Sequence, residues 1–534
     1  MLVLRVLVVA ALAATLAHAG TILFPSDTGY LQEAIDTAAP GDTVLVESGR
    51  WIVRNIDLRS GITIGSEAGD SSMATLDGHS NGGIFRADDV TDVVIYGLTL
   101  KNAVASWYNR SALSCLSSEI ALHDVVFISN DGSAMACWST EATLHDVVFT
   151  GNDTRGMSAE ESELVLEGVV FRENGRTGVG AGLYCSASNV TMRGCVFESN
   201  EVGVLEYTQT TWTYRGSGGG AYFINASTLA ASDVTFDSNH TWYEGAGLCL
   251  RGEGTRAELT GCVFIDNTTS TDVGYMGAEQ NGAALSVRDG AEVVLDDVKF
   301  TRNWSHENGG AISCTDGAIA TIGDCVFTEC EAGSDGGAIL AFRGADVTAT
   351  GCLFRRNLAG GRGGALYVDP QGNEVPVNLS YCIFNGNSAD GGGAVFAFRG
   401  HVGLTHCTLV ENEAGTGSSV RAYPWGTATV ANCILSYGAG GHIVSGDVEV
   451  THCCVLEPEP GSGLCGESYE NMCTDPLFCP SRVQDFSLCS DSPCLPSNND
   501  WSELVGAVGV GCGPCNTPVL ETSWGSIKAM FRGD

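Results

Sequence analysis

The chain has 534 residues, 44% of them hydrophobic, which rules out a disordered polypeptide and leaves room for several domains. It carries 26 Lys and Arg against 63 Asp and Glu, a formal net charge of −37, and a surface that negative repels phosphate backbones and argues against nucleic acid as a partner. Seventy glycines occur without a Gly-X-Y period, which excludes collagen, and 22 cysteines point outside the cytosol.

Residues 1–19 have one early positive charge at Arg5, an apolar run from Val6 to Leu16 and a small-residue end at Ala17-His18-Ala19. That layout predicts a cleaved export signal, and no later stretch reaches the ~20 apolar residues of a membrane-spanning helix. Residues 20–50 should form an N-terminal cap and first coil. Leu31, Ala34, Ile35 and Ala38 fall on one helical face, and Pro40-Gly41 ends the helix.

Residues 51–450 are read as repeats. A Phe followed three residues later by Asn recurs at Phe127/Asn130, Phe149/Asn152, Phe171/Asn174, Phe197/Asn200, Phe236/Asn239, Phe264/Asn267, Phe300/Asn303, Phe354/Asn357 and Phe384/Asn387. Phe327 has Cys330 in the Asn position, and Leu409/Asn412 continues the series. The first spacings are 22 residues and later ones run from 25 to 39, so one unit tolerates insertions. Two residues before each Phe stands Val or Cys, the cysteines being Cys195, Cys262, Cys325, Cys352, Cys382, Cys407 and Cys433. Three before it is usually Gly or Asp, residues that tolerate a left-handed backbone, and five before it is usually apolar. A Gly-Gly-Ala-Ile type segment lies between units, as at Gly309 to Ile312 and Gly336 to Ile339.

Three short strands per unit without helical period predict an all-β parallel solenoid, with about 16 coils at ~4.8 Å spacing and a length of roughly 75 Å. Phe, Val/Cys and Asn then become ladders, the Asn ladder lying in a turn, and the repeat cysteines are read as small core hydrophobes rather than bridges or metal ligands. Sequons fall on Asn152, Asn239, Asn267 and Asn303, which burial in such a ladder would withhold from glycosylation.

Residues 451–515 should be Cys-rich C-terminal coils and a cap. Cys453, Cys454, Cys465, Cys473, Cys479, Cys489, Cys494, Cys512 and Cys515 are read as disulfide cysteines, one of the nine left over. Zinc is the alternative, with Cys512-x-x-Cys515 as the one pair at Cys-x-x-Cys spacing. Residues 516–534 form a tail, either a docking segment or a short packed helix.

The opening Leu31 to Val46, with Gly49-Arg-Trp51, Ile62-Thr-Ile64 and Leu76-Asp-Gly78, resembles the start of right-handed β-helix proteins of the pectin-lyase-like superfamily. The paired Gly-Gly-Ala-Ile and Phe-x-x-Asn segments also resemble the repeats of chlamydial polymorphic outer membrane proteins. The first resemblance implies a right-handed parallel β-helix with an N-terminal capping helix. The second implies surface display and adhesion. Residues 453–515 look like the terminal coil and cap of bacterial secreted β-helix proteins.

Chemistry is sparse. Four consecutive coils place His123, His145, Glu167 and Arg193 at one outward position, a row able to bind a metal or supply a base and acid, or else polar decoration of a solvent face. Lys101, preceded by Asp88, Asp89 and Asp92, is the candidate base if the resemblance extends to polyuronate lyases, which use Lys or Arg with Ca²⁺. Arg355-Arg356 with Arg362 is the one local basic cluster. Ca²⁺ on surface Asp suits an acidic exported protein, with no residue assigned. The reading is a secreted or surface-displayed (outer-membrane-associated) β-helix with a structural, adhesive or glycan-binding role and no catalysis. Its partners would be extracellular or cell-surface glycans or proteins, and the oligomeric state is left open. The alternative is a polysaccharide lyase or glycoside hydrolase, favoured by a lateral groove holding a basic residue within reach of two or more carboxylates.

Overall fold

The computed structural model describes residues 19–104, 111–175, 178–203, 206–208, 211–213, 216–270, 281–372, 375–456, 464, 470–480 and 486–515. Residues 1–18 of the expected signal, Cys465 and the tail 516–534 lie outside them. The chain divides into a first unit, residues 1–175 and 182–195, and a second, residues 176–181 and 196–534.

In the first unit the strand Thr21–Phe24 pairs in parallel with Thr43–Val46, and the helix Leu31–Thr37 lies between them in sequence. Leu31, Ala34 and Ile35 turn inward, as their spacing requires. The coils that follow are three-stranded. In one, Glu119–His123 runs to a bend at Asp124, Val126–Ile128 carries Phe127, the chain turns at Asn130, and Ser133–Trp138 closes the coil. The bend needs a left-handed residue: φ is +48° at Asp124, +53° at Asp146 and +63° at Gly168, which is why Asp and Gly recur three places before the Phe.

Strands of successive coils pair in parallel and in register, Leu122 beside Leu144 and Leu144 beside Leu166 at 22 residues and Leu166 beside Met192 at 26, so side chains stack in columns. Phe127, Phe149 and Phe171 stack with ring centroids 4.7 and 4.9 Å apart. Beside them Asn130 Nδ2 donates to Asn152 Oδ1 at 2.9 Å and Asn152 Nδ2 to Asn174 Oδ1 at 2.8 Å. Each amide oxygen also accepts the backbone N–H of the Asn before it, 3.1 Å for Asn130 onto Asn152. A buried turn thereby satisfies its own polar groups.

The second unit repeats this geometry with longer coils and a fourth strand. Dipeptides directly after the Asn, or after Cys330 in its place, such as Thr268–Thr269, Trp304–Ser305, Glu331–Ala332 and Leu358–Ala359, pair into a further parallel sheet. The sequence reading expected three strands. The extra residues between Asn and the glycine corner give the chain a straight segment that the 22-residue coils lack. The 39-residue spacing from Phe197 to Phe236 holds an antiparallel hairpin, Glu206–Thr208 with Thr211–Thr213.

The phenylalanine column here runs from Phe197 through Phe236, Phe264, Phe300, Phe327 and Phe354 to Phe384, all fully buried. Asn200, Asn239, Asn267 and Asn303 form one amide ladder, and Asn357, Asn387 and Asn412 another. Cys330 interrupts them. At the glycine corner a Cβ on Gly337 would run into the carbonyl oxygen of Gly364, so the corner admits no side chain there.

The repeat cysteines are free and buried: Cys195 in the first unit, and Cys262, Cys325, Cys352, Cys382, Cys407 and Cys433 in the second. Burial pushes the thiols of Cys195 and Cys262 up to about 11, which keeps them neutral and unreactive.

After Cys454–Leu456 the stacked coils give way to a cap around Leu488, Cys494, Leu495 and Val505, which pack on Ile434 and Cys454. Disulfides join Cys479 to Cys512 and Cys489 to Cys515, and Cys473 is also disulfide-bonded. Cys453, Cys454 and Cys494 depart from the expectation of bridges: they are free and buried. Cys453 continues the core column, its sulfur accepting the Cys433 N–H at 3.3 Å, while Cys454 and Cys494 belong to the apolar seam under the cap.

Candidate functional site

The strands after the glycine corners of the second unit, Ala221–Ile224, Leu248–Arg251, Leu285–Arg288, Ile312–Thr315, Ile339–Phe342, Leu366–Asp369, Val395–Ala397 and Val420–Ala422, stack in parallel. Alternate side chains point into the coil. The others form an outer column of Tyr222, Cys249, Ser286, Ser313, Leu340, Tyr367, Phe396 and Arg421, one residue per coil. Though it faces away from the phenylalanine core, the column is buried from Tyr222 to Phe396.

Its first part is ionic. Glu244, 2% exposed, accepts a hydrogen bond from Arg288 Nη1 at 2.9 Å and another from Ser286 Oγ at 3.3 Å. Arg288 also meets Asp316 at 3.3 Å and Asp289 at 3.5 Å, so one guanidinium faces three carboxylates. Burial holds the Glu244 carboxyl above the usual range although Arg288 pulls it down. Burial works against the charge on Arg288, but Glu244 and Asp289 more than offset it and raise its pKa. The Ser313 hydroxyl beside this group is buried with no hydrogen-bond partner among the described residues.

The second part is aromatic and basic. Leu340, Tyr367 and Phe396 form an apolar cluster flanked by Phe342 and Phe398. The Arg362 guanidinium lies over Tyr367, Phe396 and Phe398, 5.5, 5.6 and 5.1 Å from the ring centroids. Arg399 covers Phe398 at 4.8 Å, and Arg421 sits 5.4 Å from both Phe396 and Tyr423. Asp335 and Asp369 answer these cations, Asp335 at 3.5 Å from Arg362 and Asp369 at 2.8 Å from Arg399. Burial pushes the Asp335 carboxyl up while Arg362 draws it back. The face ends at Tyr423 and Trp425, which are 56% and 81% exposed. Trp425 has φ +60°, a conformation that costs a bulky side chain free energy.

The residues singled out from sequence fall elsewhere. His123, His145, Glu167 and Arg193 do stack in register, in the first unit, on successive strands of one sheet. The His123 and His145 rings are 6.0 Å apart, and His145 Nδ1 lies 2.9 Å from Asp146. Burial, then the neighbouring His145, lowers the pKa of His123. Lys101 ends a strand of a different sheet, in register with Asp77 and Ile128, so the row and the lysine do not converge. Of the basic cluster, Arg356 reaches Glu329 at 4.0 Å and only Arg362 enters the aromatic face. A separate depression of about 490 Å³ in the second unit's extra sheet is lined by small residues with Asp390 and Glu413.

Sequence reasoning missed the outer face because its strands read as continuous apolar runs. The available signal was the Arg that follows or precedes them at Arg343, Arg362 and Arg399 and that lies within the last of them at Arg421.

A sequence profile described as right handed beta helix region matches residues 47–217 and 213–435. No curated protein matches the sequence. Among solved structures the chain is similar to pectate lyase Pel9A, with 10% identity over 55% of this chain and 76% of that one and a TM-score of 0.36. It is similar to a GH87 alpha-1,3-glucanase from Streptomyces thermodiastaticus, with 13% identity over 82% of this chain and 70% of that one and a TM-score of 0.35. It is also similar to PfbA, a surface adhesin of Streptococcus pneumoniae, with 11% identity over 82% and 90% of the two chains and a TM-score of 0.27.

Proposed function

The chain belongs to the right handed beta helix region family, and on that premise we propose that it is a secreted or surface-displayed β-helix that binds extracellular glycans without transforming them. The supporting observation is the exposed end of the aromatic and arginine face of the second unit, where Tyr423 and Trp425 stand open to solvent and Arg421 lies 5.4 Å from the Tyr423 ring. Aromatic rings offer flat apolar area to the C–H face of a pyranose, and guanidinium groups supply fixed donors to its oxygens. A bulky exposed Trp held at positive φ fits a side chain kept for contact rather than for packing. The export-type segment and the cap disulfides support an extracellular setting, and no helix of the described residues is long and apolar enough to cross a membrane.

The test is titration of the full chain with neutral and acidic soluble glycans, followed by isothermal calorimetry. A ligand of this face should lose at least tenfold in affinity with Tyr423→Ala plus Trp425→Ala while the melting temperature is unchanged. Equal binding by the double variant would remove the face from the account.

One observation favours the polysaccharide-active alternative: Arg288 within reach of Glu244, Asp289 and Asp316 is a basic residue among carboxylates. Their burial favours a structural ion network, since Glu244 is 2% exposed. Release of unsaturated or reducing ends from a glycan, abolished by Glu244→Gln, would reverse that preference.

A further inference from the structure

The cap brings the sulfurs of Cys479, Cys489 and Cys512 to one spot, with Cys515 joined to it through Cys489. Cys479 is bonded to Cys512 and Cys489 to Cys515, and the two bridges lie side by side, with Cys512 Sγ 3.6 Å from Cys489 Sγ. The sulfurs of Cys479, Cys489 and Cys512 all lie within 4.8 Å of one another, as do the ligand atoms of Cys489, Asp491 and Cys515. In a tetrahedral zinc tetrathiolate with Zn–S of about 2.3 Å, neighbouring sulfurs stand roughly 3.8 Å apart. The observed cross-bridge distance is close to that edge.

Backbone pairing and hydrogen bonds bring the cysteine-bearing segments together beside the bridges. Leu488–Cys489 and Val510–Cys512 pair in parallel, the Cys479 N–H donates to the Ser487 carbonyl at 2.9 Å, and the Cys515 N–H donates to Asp491 Oδ1 at 2.8 Å. Cys479 and Cys489 are buried while Cys512 and Cys515 are half-buried, which leaves a side for an ion to enter.

We propose that Cys479, Cys489, Cys512 and Cys515 form a zinc site in the reduced chain and two disulfides in the oxidised one. A dithiol reductant gives two electrons and two protons to each bridge and becomes a disulfide itself. Zn²⁺ then displaces the four thiol protons and takes four thiolates. The cap has few strands and a small apolar cluster, so a staple of either kind substitutes for core. The site is independent of the glycan reading.

The full chain, reduced and given one equivalent of zinc chloride, should retain about one zinc per chain through gel filtration. Zinc should shield Cys479, Cys489, Cys512 and Cys515 from iodoacetamide in peptide mapping and leave Cys473 as reactive as before. Cys512→Ser should cut zinc content at least fivefold, and Cys494→Ser, a buried thiol outside the cluster, should leave it unchanged. If Cys512→Ser does not fold, the mapping on the unaltered chain decides. Protection at other cysteines, no zinc-dependent protection, or zinc retained in full by folded Cys512→Ser overturns the proposal.

Discussion

A carboxylate that is 2% exposed survives only beside a partner, and Glu244 has Arg288 at 2.9 Å. Removing one member of a buried pair leaves the other charged and dry, which costs about 3–5 kcal/mol. Arg288→Leu should therefore destabilise the second unit by that amount at pH 7 in denaturant unfolding. The Glu244 carboxyl lies above its unfolded value because of burial, so the native state takes up the proton first. Stability from this group rises as pH falls through the raised native pKa and levels off below the unfolded one. The variant, having lost the guanidinium that lowers it, should recover more stability between pH 7 and pH 5 than the parent does. An equal pH response in both would show that Arg288 is not the partner that counts.

At the scale of the element, the ladder is what the sequence carries most openly. Phe and Asn three residues apart announce a column and a turn, and the bend three residues before each Phe is visible because only Gly, Asp and a few others accept its φ. Tyr381 and His406 occupy that same bend at φ +55° and +53°, stack at 5.0 Å, and show that the geometry persists where the residue type no longer signals it. The fourth strand and the outer aromatic face were not legible, because strands covered on both sides lose alternation and read as plain hydrophobic runs. The row from His123 to Arg193 was legible as a stack and nothing more, since register says who is neighbour to whom and not which neighbours do chemistry.

The ladder also has one visible defect. Asn303 Nδ2 faces Cys330 Sγ at 3.9 Å where the other rungs have an amide oxygen near 3.0 Å. Cys330→Asn should restore both bonds and stabilise the second unit by about 0.5–1.5 kcal/mol. Calorimetric melting of the pair of proteins checks it, and a lower melting temperature would mean the site cannot hold an amide.

Over the whole molecule, sixteen cysteines among the described residues are free and buried, while Cys479, Cys489, Cys512 and Cys515 of the cap are paired. The native chain should therefore react with a thiol reagent at few positions and release at least sixteen further thiols on unfolding in guanidinium. Rapid labelling of the core thiols in the native state would contradict the stacking. The surplus of acid over base acts at this scale too. It keeps the molecule soluble and away from anionic surfaces, and concentrates the usable positive charge in a few arginines such as Arg362 and Arg421.

The column from Cys325 to Cys453 has a consequence for how the chain comes into being. Each thiol is roofed by the next winding, so a folding polypeptide presents its newest sulfur until the following winding closes over it. Assembly in order, faster than any oxidant can cross-link the latest arrivals, is then a condition of reaching this fold, and a pause between windings becomes a source of scrambled product.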